Sequence, residues 1–464
     1  MTTIQTTTSS TPQKLYFVGA GGIGMAALER YFMRHGCRVA GYDRTPSDLT
    51  AALQSEGAEI VFDDDPSLIP SDFRNPSDTL VVYTPAIPDS HRGMQWFRAN
   101  GFTPVKRAAV LGRVTAEGSA LCFSGTHGKT TTSSMAAHLL ESAGVGSNAF
   151  LGGVLRNYGT NYLLSDHSPY SVIEADEYDR SFHHLTPEIA VITSTDPDHL
   201  DIYGTEEAYL ESFAHFTELI KPGGTLLLHT GLKVKPRTAP SVKVYTYGSA
   251  DADFRAENVR IGDGTIRFDL HTPRCVITDI ELGVPVEVNV DNAVAACSAV
   301  LLTGNPAVTD DAVRTAMASF QGAKRRFEFW LRTPKCVVID DYAHHPDELK
   351  ASIGSVRRLF PNRRLTVAFQ PHLFSRTRDF ASEFAAALSQ ADDVMILPIY
   401  PARELPIPGV DAELICRQVT APGAAVVGRD ALVERIAALQ PELLLTVGAG
   451  DINLLLPEIV ERLK

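Results

Sequence analysis

The sequence predicts an α/β protein of three domains, each built around a parallel-rich sheet. Three observations predict it. At roughly 100–200 residues per domain, a chain of 464 residues makes about three. Apolar runs of strand length alternate with helix-length stretches, the pattern of βαβ units. The pattern also restarts twice, which divides the chain into residues 1–107, 108–320 and 321–464.

The first domain opens with KLYFVGAGGIGMAALERYFMRHGCRVAGYD. Leu15–Val18 reads as a short strand. Gly19, Gly21 and Gly24 form GxGxxG, with Gly22 inside the turn, and a helix of small and apolar residues follows. A second strand, Cys37–Gly41, ends near Asp43. Such a unit of about 30 residues brings backbone close to a phosphate. Read generically, it is a dinucleotide site with Asp43 on a ribose. The alternative is tight helix–strand packing without a ligand. Thr79–Pro88 adds a buried parallel strand that runs into a loop.

In the second domain a helix-like stretch, Ala108–Thr115, leads to the strand Ala120–Ser124 and then to GTHGKTTT. Gly128-Lys129-Thr130 meets the end of the Walker pattern GxxxxGK[ST]. Phe123 occupies its first position, and Gly125 comes two residues later. The physics still holds: a strand ends, glycines turn backbone N–H groups inward, and a helix starts at the phosphates. Lys129 would neutralise β/γ-phosphates and the Thr130 hydroxyl would ligate Mg²⁺. The alternative is a glycine-rich turn with a capping threonine.

Two more apolar strands follow, Tyr170–Ile173 and Ile189–Thr193. Glu174, Asp176 and Glu177 come after the first; Asp196, Asp198, His199 and Asp201 come after the second. Strand C-termini of a parallel sheet gather along one edge, so both clusters are expected to face the phosphates. Carboxylates there suit a hard cation. A strand at Thr225–His229, short β-like pieces over 230–285 and a helix over Val290–Leu302 complete the region.

The third domain carries strand-like KCVVIDDY, RRLTVAFQ, DDVMILPIY and ELLLTVGAG, with helices between them. His344 and His345 precede Pro346 in a loop. Adjacent side chains diverge, so a joint metal site is not expected. His372, Arg376 and Arg378 follow the strand Leu365–Gln370. Guanidinium forks suit a carboxylate; the alternative is a solvated helix start.

Composition narrows the function. With 42 basic and 55 acidic residues the net charge is -13, which argues against a nucleic-acid or anionic-membrane surface. No apolar run is long enough to span a bilayer. The polar start MTTIQTTTSSTPQK lacks the core of a signal peptide and reads as a frayed tail. Six scattered cysteines without a CxxC pair suggest reduced thiols and a cytoplasmic protein.

Eight segments in order, FVGAGGIGM, SGTHGKTTT, EADEYDRSF, DPDHLDIYGT, NVDNAVAA, GAKRRFE, DDYAHHPDE and FQPHLFSRTRDF, carry a resemblance over nearly the whole chain. The chain resembles the Mur ligases of bacterial cell-wall synthesis, most closely the L-alanine-adding branch. The resemblance implies a Rossmann-like UDP-sugar domain, a central P-loop ATPase domain, and a Rossmann-like C-terminal domain that receives the amino acid. It implies ATP-driven amide formation: the lactyl carboxylate of UDP-N-acetylmuramate is phosphorylated, and L-alanine attacks the acyl phosphate.

It also implies roles. Gly125, Thr126, His127, Gly128, Lys129, Thr130 and Thr131 form the ATP cradle, with Lys129, Glu174 and His199 catalytic. Thr130 and Glu174 hold one Mg²⁺ and Glu174 with His199 a second, Mn²⁺ being an alternative metal. Asn289 and Asn292 meet the adenine side, Arg326 a phosphate, and Asp341 the ribose. Gly19, Gly21, Gly22, Gly24 and Asp43 take the UDP-sugar. Asp43 either contacts the uridine part or caps a helix. His344 and His345 lie near the amino-acid pocket, while His372, Arg376 and Arg378 are read, from the guanidinium forks, as a seat for the carboxylate of alanine or of the muramyl group. The protein is expected as a monomer or homodimer.

Two departures stand out. Val288 stands where much of the family has His before the first asparagine, which puts adenine stacking there in question. Phe213-Ala214-His215 lies where several relatives carry a carbamylated lysine, and no lysine comes before Lys221. The L-alanine-adding branch lacks that lysine too. Rival readings are a murein-peptide recycling ligase acting on the same sugar nucleotide, an NAD-dependent dehydrogenase, and a P-loop switch protein. GGIGMAA at the first turn favours the L-alanine branch over recycling.

Overall fold

The computed structural model describes residues 12–197, 200–262, 264–402 and 404–464, with residues 200 and 201 described by backbone alone. The expected frayed tail, Asp198, His199 and the side chain of Asp201 lie outside what is described.

Strands β1 (Lys14–Val18), β2 (Arg38–Tyr42), β3 (Glu59–Val61), β4 (Thr79–Tyr83) and β5 (Val105–Lys106) form a parallel sheet in the order β3-β2-β1-β4-β5. The order reverses at β1. The glycine turn after β1 therefore opens at the switch point, where sheets of this type bind ligands. Met25, Leu28 and Phe32 recur at helical spacing on the helix Ile23–Arg34 and are buried.

The second sheet comprises β6 (Ser119–Ser124), β7 (Asn148–Leu155), β8 (Thr160–Leu163), β9 (Tyr170–Glu174), β10 (Ile189–Ile192), β11 (Thr225–His229) and β12 (Lys243–Tyr247). Its order is β12-β11-β10-β6-β9-β7-β8. β6 is central and pairs in parallel with β9 on one side and β10 on the other. Leu121, Cys122 and Phe123 are fully buried, as continuous apolar runs in a sheet covered on both faces should be. β7 and β8 were not expected from sequence: Gly152-Gly153 interrupts the first, and the second has only four residues.

β13 (Arg255–Gly262), β14 (Thr265–His271) and β15 (Val276–Glu281) make an antiparallel sheet. Ile266, Phe268 and Leu270 alternate onto its buried face. β16 (Glu328–Arg332), β17 (Val337–Asp341), β18 (Leu365–Phe369), β19 (Asp393–Ile396), β20 (Ala425–Val426) and β21 (Leu443–Val447) form a six-stranded sheet, parallel except for the β16–β17 pair.

The chain divides into two compact units. One comprises residues up to 154, 160–252 and 295–308; the other comprises 155–159, 253–294 and 309–464. The first unit holds the five- and seven-stranded sheets around a shared core in which Tyr31 meets Phe150 edge-on at 5.7 Å. The second holds the antiparallel and six-stranded sheets. Residues 253–294, expected in the central domain, group with the second unit. The Arg332 guanidinium donates to Gly264 O (2.7 Å) and Arg358 pairs with Glu287 (2.8 Å), binding the antiparallel sheet and its exit to the C-terminal strands. No helix among the described residues is long and apolar enough to cross a membrane. All six cysteines are free.

Candidate active site

β6 delivers the chain to the cradle. Phe123 is a fully buried strand residue, so the turn begins only at Gly125. Gly125 has φ +139, and a Cβ there would strike Thr193 Oγ1 and come within 2.8 Å of Ser194 N. Glycine alone fits. The loop after β10 buttresses the turn. The Thr126 amide donates to Ser194 O (3.2 Å), the His127 amide to Ser194 Oγ (2.7 Å), and Thr126 Oγ1 to Asp196 O (2.7 Å).

Gly128, at φ +83, precedes the helix Lys129–Ser142. The amides of Gly128, Lys129, Thr130 and Thr131 then have no acceptor among the described residues. Successive N–H donors at a helix N-terminus, following a left-handed residue, make an anion nest. His127 itself is exposed, with Nε2 4.0 Å from Asp196.

Two carboxylates from β9 and its following turn enter this cradle. Glu174 Oε1 accepts from Thr130 Oγ1 (3.0 Å) and Oε2 from the Gly152 amide (2.8 Å). Burial raises its pKa, while Thr130, the Gly152 amide and the charge of Lys129 oppose the rise. A hydroxyl and a carboxylate this close, beside an anion nest, suit a hard divalent ion that keeps water and phosphate as its other ligands. Among the described residues no cluster of three His, Cys, Asp or Glu side chains forms a protein-only metal cage. The second carboxylate is Glu177. Its Oε2 lies 2.8 Å from Lys129 Nζ, which also donates to Gly125 O (2.6 Å). Burial raises the Glu177 pKa, with Lys129 opposing.

At the first glycine turn, Asp43 Oδ2 accepts from the Gly21 amide (2.7 Å) and Oδ1 from the Thr45 amide (3.1 Å). Asp43 thus secures the turn and caps no helix. A Cβ at Gly21 would stand 2.8 Å from Asp43 Oδ2 and 2.9 Å from Thr50 Cγ2. A Cβ at Gly19, which has φ +96, would overlap Thr84. Gly22 is the N-cap of the helix Ile23–Arg34, and Gly24 lies in its first turn.

The remaining expected residues belong to the second unit. Asn289 and Asn292 are buried at the start of the helix Val288–Leu302. Asn292 Nδ2 donates to Asn289 Oδ1 (3.0 Å), and Asn289 Nδ2 donates to Val284 O (3.1 Å). Val288, just before them, is exposed. Arg325, not Arg326, is held inside: it packs over Tyr342 and donates to Gly448 O and Gly450 O. The Arg326 guanidinium is exposed and has no ion pair among the described residues. Asp341 accepts from Ser352 Oγ and from the Tyr342 amide (2.8 Å); burial raises its pKa, and these donors oppose the rise.

The two adjacent histidines do diverge. His345 caps the helix Pro346–Leu359 and packs on Phe380, whereas His344 turns toward His372, with ring centroids 6.2 Å apart. The His372 ring stacks on Tyr400 at 5.8 Å. His372 Nδ1 and Arg376 Nη1 are both buried without a hydrogen-bond partner among the described residues. Burial and the Arg376 charge lower the His372 pKa. Two unsatisfied groups of this kind, one a guanidinium donor, call for an anion. Arg378, by contrast, is exposed and paired with Asp379 (2.7 Å).

Sequence reasoning gave no role to Gly152, Glu177 or Tyr400. Glu177 stood inside a recognised acidic cluster, but nothing local distinguished it from Asp176. Gly152 and Tyr400 carried no signal at all.

Three family models match in succession: "Mur ligase family, catalytic domain" over 14–118, "Mur ligase middle domain" over 123–300, and "Mur ligase, glutamate ligase domain" over 325–456. The chain is 56% identical over 448 residues to a UDP-N-acetylmuramate–L-alanine ligase of Parabacteroides distasonis, covering 96% of each. It is 53% identical to that of Phocaeicola vulgatus, covering 97% of this chain and 98% of the relative. Among solved structures, the UDP-N-acetylmuramate–alanine ligase MurC of Thermotoga maritima aligns with a TM-score of 0.73 at 25% identity, covering 97% of this chain and 98% of that one. A murein peptide ligase of Psychrobacter arcticus shares the fold, with a TM-score of 0.59 at 20% identity and coverage of 97% and 98%. The chain belongs to the Mur ligase family.

Proposed function

We propose that this chain uses ATP to join L-alanine to the lactyl carboxylate of UDP-N-acetylmuramate, a step of peptidoglycan precursor synthesis, releasing ADP and phosphate. The observation that carries it is the cradle after β6: free amides from Gly128 to Thr131, Lys129 among them, and a Thr130–Glu174 pair 3.0 Å apart.

A carboxylate lacks a good leaving group. Its oxygen attacks the γ-phosphorus of ATP, the bond from γ-phosphorus to ADP breaks, and an acyl phosphate forms. The alanine amine then attacks the acyl carbon, loses a proton, and expels phosphate through a tetrahedral intermediate. In this reading Lys129 leaves Glu177 and follows the charge of the transferring phosphoryl group. The amides of Gly128–Thr131 hold the β-phosphate side in place.

Thr130 and Glu174 would hold Mg²⁺, which when bound neutralises polyphosphate charge; Mn²⁺ is an alternative. His199 is assigned to a second ion with Glu174. Asn289 and Asn292 serve the adenine side, Arg326 a phosphate and Asp341 the ribose. His344, His372 and Arg376 receive a carboxylate. Gly19, Gly21, Gly22 and Gly24 take the UDP-sugar, with Asp43 holding their turn. The functional domains proposed are 1–107, 108–320 and 321–464, in a cytoplasmic monomer or homodimer.

Phosphate release tests the reading. UDP-N-acetylmuramate, ATP and Mg²⁺ are combined with L-alanine, glycine, L-serine or the murein tripeptide. Release with L-alanine and formation of the amide are expected. Release with the tripeptide alone would make this a recycling ligase.

A further inference from the structure

Beside the first glycine turn stands an arginine to which no role has been given. Arg107 is the first residue of the helix Arg107–Glu117, between β5 and β6. Its guanidinium lies against Gly24: an added Cβ at Gly24 would stand 2.9 Å from Nη1, 3.3 Å from Cζ and 3.6 Å from Nε. Any side chain at Gly24 would therefore displace the cation.

Arg107 is half-buried, and among the described residues its guanidinium makes no hydrogen bond and no ion pair. Burial lowers its pKa, opposed by the charge of Asp176. Its neighbour Lys106 is already committed to Asp179 at 2.8 Å. A guanidinium carries five N–H donors, and partial burial without a protein acceptor leaves them short of partners. The position makes sense when an anion completes it.

The turn supplies the rest of such a site. The Gly21 amide is taken by Asp43 and the Gly22 amide by Gly19 O. The next two amides, of Ile23 and Gly24, have no acceptor among the described residues. The helix they begin has no side-chain cap and no acid in its first turn. Two free N–H groups on a helix N-terminus, with an unpaired planar cation packed beside them, match an anion with several oxygens.

We propose that Arg107 binds the diphosphate of the nucleotide-sugar substrate, clamping it against the amides of Ile23 and Gly24. This rests on the proposed placement of UDP-N-acetylmuramate at this turn. It gives the third glycine of GxGxxG a specific purpose here: it leaves a seat for the guanidinium.

Calorimetry with UDP, uridine and UDP-N-acetylmuramate tests it on wild type, Arg107→Ala, Arg107→Lys and Gly24→Ala. ATP binding, which belongs to the P-loop of the same unit, reports that each variant is folded. Arg107→Ala should weaken UDP and UDP-N-acetylmuramate about 10- to 100-fold and leave uridine unchanged. Arg107→Lys should recover part of the loss. Gly24→Ala should weaken both diphosphates while the cation is still present. In turnover, Arg107→Ala should raise KM for the sugar nucleotide far more than it lowers kcat. Unchanged UDP affinity in Arg107→Ala overturns the proposal. So does a loss seen with UDP-N-acetylmuramate alone, which would move the arginine to the lactyl carboxylate. A wild type that binds UDP through Arg107 but not UDP-N-acetylmuramate counts against the proposed substrate and leaves the arginine's role standing.

Discussion

Glu177 Oε2 lies 2.8 Å from Lys129 Nζ, with 1% and 14% of the two side chains exposed. The cation proposed to meet phosphate is thus neutralised by an internal carboxylate. ATP has to take Lys129 from Glu177, and its own charge is repelled by the carboxylate it leaves behind. Glu177→Gln should therefore tighten ATP binding, by roughly 3- to 10-fold at an effective dielectric near that of a protein surface. Calorimetric titration with ATP checks it. Equal or weaker binding would show that the pair only orders the loop.

Lys129→Ala and Gly21→Val should separate the two substrates. The first should lower kcat by at least about 100-fold and leave UDP-N-acetylmuramate affinity intact. The second should raise KM for the sugar nucleotide. Its direct collisions are with Asp43 Oδ2 and Thr50 Cγ2, so the turn itself is forced apart. A stability loss of about 1–3 kcal/mol in urea should accompany it. Weakened sugar-nucleotide binding in Lys129→Ala would contradict the separation of the sites.

Gly152 bears on the proposed metal site through Glu174. A Cβ there would stand 2.5 Å from both Glu174 carboxylate oxygens. Gly152→Ala should push the carboxylate off Thr130 and raise the Mg²⁺ concentration for half-maximal activity about 10- to 100-fold. Saturating Mg²⁺ should restore much of the rate. A variant with an unshifted Mg²⁺ dependence would remove Glu174 from the metal site.

Arg376 and Arg378 are two residues apart on one short helix and should behave oppositely. Arg376→Ala should raise KM for L-alanine about 10- to 100-fold, because the carboxylate proposed to bind here loses a guanidinium whose Nη1 is buried with no hydrogen-bond partner among the described residues. Arg378→Ala breaks only an exposed pair with Asp379 and should change KM less than about 2-fold. Steady-state kinetics with alanine varied decides it; equal effects would refute the assignment.

Glu29 gives the stability a pH dependence unconnected with catalysis. It is fully buried, neither carboxyl oxygen has a hydrogen-bond partner among the described residues, and burial raises its pKa well above the usual carboxylate range. The folded protein thus holds this proton more tightly than the unfolded chain. The group's contribution is complete below the unfolded carboxylate pKa and is lost as pH rises through the higher folded value. Glu29→Met should flatten that decline and raise stability at pH 8 by about 1–2 kcal/mol. Thermal melts at pH 5 and pH 8 provide the check, and an unchanged pH slope would exclude Glu29 as its source.

Much of this molecule is legible along the chain. The glycine turns, the strand before each and the helix after each are local: apolar runs of five or six residues bury both faces, and glycines mark where φ turns positive or backbone comes close. Gly125 and Gly128 could be read that way, and Phe123 could be returned to its strand. Strands β7 and β16 were harder to read. One is broken by paired glycines; the other is a five-residue edge strand with charge at both ends. Neither shows a clean period.

The side-chain partnerships were a different matter. Sequence offered Asp43 as a ribose ligand or a cap, and the fold uses it to hold the Gly21 amide. It offered Glu177 as one acid among several, and the fold pairs it with a lysine 48 residues earlier. Nothing in its local sequence singles out Arg107, and the fold sets its guanidinium against Gly24. By itself the sequence determined the class of fold, the two glycine turns and the family, because these rest on spacing within a few residues. Which carboxylate meets the lysine, which arginine stands against the glycine turn and which histidine turns inward were decided only in three dimensions. Burial and partner distance set the energy of a charge, and neither is a property of its neighbours in the chain.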